Sequence, residues 1–421
     1  MENHVTFKPF EPNGTVFAPP SKSDVHRAVI CAALSKGVCT ISPVALSEDI
    51  KATIRCVEAL GAAAKIEDNV LTVDGSRMFG KSSAVLDCGE SGSTLRFMIP
   101  VAAAGGVEAT FTGCGRLPER PIGIYTEALP EKGVVCATQG GLPLTISGRL
   151  KSGVFYIPGN VSSQFITGLL LALPLLKGDS DIILTSPIQS AGYINMTIRT
   201  MSKFGIEVDM TDRGWHVRGM QHYIPTDYVT DGDWSQAAFF LAAGAVGGDV
   251  TVVNANIDSS QGDRKIAALL REFGAEVHQD GGRITVKKAP LSAVTIDAAQ
   301  IPDLVPVLAV CACFAKGTTR IINAERLRIK ESDRLKSTAD LLNALGGKVI
   351  ELPDGLEITG VERLGGGEAD GCNDHRIVMS AAVCAAKCGG EIKCSDPWSI
   401  NKSYPDFYRD YRKIGGCEVI E

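Results

Sequence analysis

No apolar stretch in this chain is long enough to cross a bilayer. The richest, Gly168 to Leu176, is about half the required length, which excludes an integral membrane protein of the helical kind. An excess of basic charge is missing as well: 42 Lys and Arg stand against 48 Asp and Glu, a net charge of −6. Aromatic residues make up only 6% of the chain and do not interleave with basic ones, so the pattern of a nucleic-acid binder is absent. There are six His, and none lies near Cys311 and Cys313 or Cys384 and Cys388 to complete a four-ligand metal set. The 13 Cys are odd in number and sit in Ala-rich apolar segments, which suits reduced thiols used as small hydrophobes and not a disulfide framework. Residues Met1 to Pro20 contain no basic stretch leading into an apolar one, so no secretion signal is read and a cytoplasmic location is expected.

What is present is a repeat. At 421 residues the chain exceeds one ordinary core, and two domains are expected. Six segments run from a polar start into an Ala- and Leu-rich stretch: Asp24 to Leu34, Ser93 to Ala103, Ser162 to Ala172, Trp234 to Ala243, Pro302 to Cys311 and Asp374 to Val383. They recur about every 70 residues, the signature of repeated structural units. Because they are apolar nearly all round, these helices should be buried.

Within most units a second, amphipathic helix ends in Leu60-Gly61, Phe204-Gly205, Phe273-Gly274 or Leu345-Gly346, where glycine suits a left-handed cap. Short paired strands follow, clearest in Glu276 to Val286 around Asp280-Gly281-Gly282; the third unit reads as strands at Ile206–Asp209 and Trp215–Arg218. The last unit stops at Glu421 without a partner strand, and Val5 to Lys8 is strand-like. The N-terminal strand is therefore expected to complete that unit. This predicts an α/β protein with three units per domain: residues 20–230 in one, residues 1–19 with 231–421 in the other.

Exposed helix N-termini offer unpaired N–H groups and partial positive charge, which suit phosphate and carboxylate. The polar segments at such places are Ser21-Lys22-Ser23 with Arg27, Glu90 to Arg96, Ser162-Ser163-Gln164, Ile301-Pro302-Asp303 and Asn373 to Arg376. Loops entering the second helices add Arg116, Arg120, Ser190, Tyr193, Arg326, Lys330 to Arg334, and Lys402 to Asp406. Each has a plainer explanation. Ser23, Ser93 and Ser162 suit helix caps, Asp303 and Glu331 suit first-turn acids, Arg120 suits a solvated surface and Tyr193 a packed aromatic. Their recurrence in several units is what favours a shared site.

At these places the chain resembles the 5-enolpyruvylshikimate-3-phosphate synthase family of enolpyruvyl transferases. The matches are Ser21-Lys22-Ser23 with Arg27, Pro118 to Ile122, Val161 to Gln164, Lys330 to Arg334, Asn373 to Arg376 and Lys402 to Pro405, in order along essentially the whole chain. The resemblance implies the two-domain enolpyruvyl-transferase fold with an inter-domain cleft. It implies transfer of the enolpyruvyl group of phosphoenolpyruvate to the 5-hydroxyl of shikimate 3-phosphate, with loss of phosphate. It casts Ser23, Arg27, Ser162, Ser163, Ser190, Asp303 and Lys330 as shikimate 3-phosphate ligands. Gly92, Arg120, Arg334, Arg376 and Lys402 become phosphoenolpyruvate ligands, and Lys22 and Gln164 touch both. Asp303 takes the hydroxyl proton, Glu331 exchanges a proton with the methylene carbon, and Lys22 assists. Arginine forks and lysine point charges suit such anions. Fixed cations offset phosphate charge without a metal or organic cofactor. Glyphosate, an inhibitor of that family, is expected to bind beside Gly92, and the protein is expected to be a cytoplasmic monomer. The chain departs from many members of that family at Glu90 (often Asn), Ser93 (often Thr) and Arg326 (in some, Asn); a carboxylate at Glu90 repels anions unless Arg96 or another cation pairs it.

Two other readings compete. A related transferase acting on UDP-N-acetylglucosamine carries a reactive Cys ahead of an Arg-Pro pair, as Cys114 stands ahead of Arg120-Pro121; it usually has Lys-Asn where this chain has Lys22-Ser23, and lacks the Lys330 to Arg334 pattern. An RNA-end-processing protein built from similar repeats fits poorly with the acidic balance.

Overall fold

The computed structural model describes residues 3–421. Two compact units emerge, one formed by residues up to Pro19 with Asp231–Glu421, the other by Pro20–Thr230. Each contains three of the six four-stranded sheets and three of the six buried helices. Those helices are α1 (Lys22–Leu34), α2 (Gly92–Gly105), α3 (Ser163–Ala172), α4 (Trp234–Gly247), α5 (Val305–Cys313) and α6 (His375–Cys384). Their small Ala, Gly and Cys side chains let neighbouring backbones pack closely. In α4 every residue from Trp234 to Val246 is buried. A helix hydrophobic on all sides has no other stable place than the middle of a unit.

Five of these helices start on a side-chain cap: Ser21, Ser91, Ser162, Asp233 and Asp374 each accept a hydrogen bond from a backbone N–H two or three residues on. The plainer reading of Ser23 and Ser93 as caps is therefore corrected. Both lie inside the first turn, their hydroxyls not needed to start the helix. The fifth helix is entered instead through a 3₁₀ turn, Pro302–Leu304.

The sheets share one plan. Ser83–Asp87 runs parallel to Glu108–Thr112, which is antiparallel to Leu144–Gly148, itself in a hairpin with Val134–Ala137. Two sheets take their first strand from elsewhere in the chain. Asn13–Phe17, which precedes α1, pairs with Asp249–Val253 after α4. Tyr228–Val229, which precedes α4, pairs with Val38–Ser42 after α1. His4–Phe7 lies between Ile392–Ser395 and Glu418–Ile420, antiparallel to both. The second helices end as their glycines dictate; Gly274, for example, has φ +105°. Two strands shift by one residue from the sequence reading, to Gly214–Val217 and His4–Phe7, and a third shifts further. Ile206 is buried and its N–H closes the preceding helix on Met201 O at 3.1 Å, so the strand begins at Asp209.

A proline shapes the contact between α2 and α3. Pro100 lies inside α2 and has no N–H for the carbonyl of Arg96 four residues earlier. The Tyr125 hydroxyl takes that place, 3.0 Å from Arg96 O and 2.7 Å from Phe165 O. Gly168 makes the approach possible, because a Cβ there would lie 2.3 Å from Arg96 O. Helices α2 and α3 thereby bring their N-terminal turns side by side.

Candidate active site

In unit Pro20–Thr230 the polar groups gather at the starts of α1, α2 and α3. Lys22 Nζ is 2.6 Å from Asp49, a residue of the helix Glu48–Ala59. Thr94 of α2 donates to the carbonyl of the same Asp49 at 3.4 Å, so α1 and α2 meet on one residue. Arg27 is buried and heavily bonded: Nε donates to Thr197 Oγ1 (2.8 Å), Nη1 to Ser23 O (2.6 Å) and Nη2 to Tyr193 O (3.0 Å). Burial lowers its pKa to about 10, opposed by nearby Asp24, so the guanidinium is charged at neutral pH. Through these bonds Arg27 ties Ser23 to the segment that carries Ser190. Ser190 is buried and has φ +56°, a left-handed conformation uncommon for serine and frequent at functional sites.

Gln164 is oriented from two sides. Arg96 Nη1 donates to its Oε1 at 2.6 Å, and its Nε2 donates to Ser93 Oγ at 2.9 Å. Arg96 also donates to Pro121 O at 3.0 Å, next to Arg120. Arg120 is buried, with its guanidinium against the first residue of α2: a Cβ on Gly92 would lie 2.6 Å from Arg120 Nη1. Glycine is what lets that cation lie over the helix start. Glu90 is turned toward the Gly113–Arg116 loop, where a Cβ on Gly115 would lie 2.3 Å from its carboxylate. Ser162 is the cap of α3, and Ser163 is buried beside it.

In the other unit two carboxylates sit among two buried arginines and a half-buried lysine. Asp303 is 3.0 Å from Arg334, 3.2 Å from Arg376 and 3.8 Å from Lys330. Glu331 is 2.7 Å from Arg334. Arg334, almost wholly buried, also grips Asp374 through Nε at 2.8 Å and Nη2 at 3.2 Å. Arg376 donates to Asp303 O (2.9 Å) and to Ser235 Oγ (3.1 Å). Lys402 donates to Asn373 O at 2.6 Å, and Asn373 is held by a bond from its N–H to Asp396 at 2.7 Å.

The electrostatics follow from this packing. Burial alone would raise the pKa of Asp303, but Arg376, Lys330 and Arg334 together hold it well below the usual carboxylate range. Burial lowers Lys330 to about 8, the attraction of Asp303 and Glu331 only partly offsetting it. For Arg334 burial opposes the charge, yet Asp374, Glu331 and Asp303 outweigh it and raise the pKa. An ionised carboxylate thus stands beside an ammonium whose pKa is lowered to about 8, with rigid forks around them. Such a group can bind anions and move a proton.

The structure thus brings Asp303, Lys330, Glu331, Arg334 and Arg376 into one cluster, with Lys402 linked through Asn373. Lys22, Ser23, Arg27 and Ser190 fall in a second group, and Gly92, Arg120, Ser162, Ser163 and Gln164 in a third adjoining it. Four residues outside the predicted set support them: Asp49 holds Lys22, Arg96 orients Gln164, Asp374 clamps Arg334 and Ser235 holds Arg376. Asp49 reads in sequence as an ordinary first-turn acid, and Ser235 as a helix-start serine. Only Arg96 and Asp374 carried a signal, being inside the polar segments. Among the described residues no group of three or more His, Cys, Asp or Glu could hold a metal ion. None of the described helices is long and apolar enough to cross a membrane.

Residues 8–411 match the family EPSP synthase (3-phosphoshikimate 1-carboxyvinyltransferase). A 3-phosphoshikimate 1-carboxyvinyltransferase of Clostridium novyi is 45% identical over 429 residues, covering 99% of this chain and 98% of that one. Another of Clostridium kluyveri is 45% identical, covering 98% and 97%. Among solved structures, EPSP synthase from Acinetobacter baumannii superposes with a TM-score of 0.83 at 24% identity, covering 99% and 100% of the two chains. The enolpyruvyl transferase NikO from Streptomyces tendae does so with 0.81 at 16% identity, over 100% of both. At those identities the two structures speak to the fold.

Proposed function

This chain belongs to the EPSP synthase (3-phosphoshikimate 1-carboxyvinyltransferase) family, and from that premise we propose how its residues carry out the reaction. The enzyme transfers the enolpyruvyl group of phosphoenolpyruvate to shikimate 3-phosphate, a step of aromatic amino-acid biosynthesis. In our reading the 5-hydroxyl attacks C2 of phosphoenolpyruvate while C3 gains a proton. The tetrahedral adduct then loses a C3 proton and phosphate, leaving the enol ether.

The observation that carries the assignment of roles is the Asp303 cluster, where one carboxylate is held ionised by three cations while Glu331 shares Arg334 with it. Asp303 accepts the hydroxyl proton. Glu331 gives a proton to the methylene carbon and takes one back, and Lys22, held by Asp49, assists. Arg120, Arg334, Arg376 and Lys402 hold phosphoenolpyruvate, with Gly92 giving access to the N-terminus of α2. Ser23, Arg27, Ser162, Ser163, Ser190, Asp303 and Lys330 hold shikimate 3-phosphate, and Gln164, fixed by Arg96, meets both substrates. Arg334 acts on substrate while also pairing with both carboxylates. Phosphate leaves into fixed positive charge, which stabilises it without solvent rearrangement. We place the enzyme in the cytoplasm as a monomer, with glyphosate binding beside Gly92.

The test is phosphate release from phosphoenolpyruvate in the presence of a chelator, with each acceptor in turn. Shikimate 3-phosphate should support turnover and UDP-N-acetylglucosamine should not. Release with the sugar nucleotide alone would overturn the substrate assignment.

A further inference from the structure

Gln236 lies in the first turn of α4 and is 1% exposed. Its backbone N–H is satisfied by the Asp233 cap at 3.1 Å, but neither Oε1 nor Nε2 of its side chain has a hydrogen-bond partner. A buried amide left in that state costs stability, and an apolar residue of the same shape would avoid the cost. A glutamine kept here therefore has something to bond that the protein chain alone does not supply.

Its neighbours indicate what. The preceding residue, Ser235, accepts from Arg376 Nη2 at 3.1 Å. One turn along the same face of α4 is Phe240, whose ring centroid is 6.1 Å from that of Tyr404 and 5.8 Å from that of Phe407. Residues 236 and 240 share one face of α4, and at Phe240 that face meets the segment that follows Lys402. Arg376 and the segment around Lys402 carry further buried polar atoms without partners: Arg376 Nε, Ser399 Oγ and Ser403 Oγ. Ser399 belongs to the turn Pro397–Lys402, and Ser403 follows Lys402 directly. The sets are complementary. The amide offers a donor and an acceptor, Arg376 Nε a donor, and each hydroxyl either.

We propose that Gln236 is a positioning residue for phosphoenolpyruvate binding: through buried water it joins Arg376 Nε to the Ser399 and Ser403 hydroxyls, holding Arg376 and Lys402 at a fixed separation. Buried waters with two to four polar partners are ordinary parts of protein interiors. Here such water ties the two cations into one preformed anion receptor. The inference rests on the proposed role of Arg376 and Lys402 as phosphoenolpyruvate ligands.

The experiment compares Gln236→Leu, Gln236→Glu and Arg376→Lys in the full-length enzyme, reading KM for each substrate, kcat and Tm. Gln236→Leu should raise the KM for phosphoenolpyruvate about tenfold, the scale of one hydrogen-bond network lost, with KM for shikimate 3-phosphate unchanged and Tm equal or higher. Gln236→Glu should raise the same KM further, because its carboxylate competes with the substrate for Arg376. Should the leucine variant fail to fold, the glutamate variant reads the same parameter. A Gln236→Leu enzyme with higher Tm and unaltered kinetics, or a Gln236→Glu enzyme with wild-type KM, would overturn the proposal. An Arg376→Lys enzyme with unaltered phosphoenolpyruvate KM would instead overturn the ligand reading on which it rests.

Discussion

Single groups carry the chemistry proposed for this enzyme, and their surroundings predict how each fails. Asp303→Asn keeps the shape of a residue packed against Arg334, Arg376 and Lys330, yet it cannot accept the hydroxyl proton. Turnover should fall about 100-fold or more, as should that of Glu331→Gln, the scale of losing a positioned proton-transfer group. Circular dichroism would check that the fold persists. Lys330 supplies a pH test. Its pKa is lowered to about 8 by burial, so it is cationic below that pH and neutral above it. A phosphorylated substrate binds the cation, so KM for shikimate 3-phosphate should rise as pH climbs through about 8. In Lys330→Arg that alkaline rise should vanish, because arginine stays charged. At Gly92 an alanine methyl would meet the far end of Arg120 at 2.6 Å. A flexible side chain can move, so Gly92→Ala should fold normally. Its displaced Arg120 should raise KM for phosphoenolpyruvate and weaken glyphosate. Cys114 is exposed and has no part in the proposed steps; Cys114→Ser should retain turnover, whereas loss of activity would favour a cysteine-dependent mechanism.

At the scale of elements, the helix starts do two tasks at once. Asp374 caps α6, accepting from Arg376 N at 3.0 Å, while the same carboxylate holds Arg334 and Ser332. Removing a cap costs about 1 kcal/mol, and breaking a buried ion pair from one side costs about 3–5 kcal/mol. Asp374→Ala should therefore lower Tm strongly, and Asp374→Asn less so because the cap survives; thermal unfolding of both variants checks this. These double tasks explain what sequence reading found and missed. Ser162, the Lys330 to Arg334 run and the Asn373 to Arg376 run could be read because a capping residue stands beside further hydroxyls or cations in one short segment. Asp49 and Ser235 could not. Their partners, Lys22 and Arg376, lie 27 and 141 residues away, and each looks like a routine helix-start residue where it stands. Ser23 and Ser93 show the converse. Their types fit a cap, but Ser21 and Ser91 take that position, leaving both hydroxyls inside the first turn.

For the whole molecule, the groups assigned to one reaction are divided between two units, with Lys22, Arg27, Gly92, Arg120 and Gln164 in one and Asp303, Lys330, Arg334, Arg376 and Lys402 in the other. Neither unit carries a full set. Both substrates are proposed to draw on residues of each, so binding of one should favour the other. Calorimetry should find phosphoenolpyruvate affinity raised by saturating shikimate 3-phosphate, and the reverse effect equal in size, since linkage between two ligands is reciprocal. Affinities indifferent to one another would remove this coupling.

By itself the sequence determined the repeated α/β plan, because period, apolar helices and glycine stops are local properties that each segment declares without its neighbours. It also determined the family, since six polar segments in order outweigh any one of them. Only the tertiary structure decided which strand opens two of the sheets. Asn13–Phe17 precedes α1 yet pairs with the strand after α4, and Tyr228–Val229 precedes α4 yet pairs with the strand after α1. The two strands are similar short extended segments, and backbone hydrogen bonds do not distinguish them. Tertiary structure also decided the charge states around Asp303. The pKa of a carboxylate depends on how deeply it is buried and how near the cations stand, and here those cations come from segments 27 to 73 residues away.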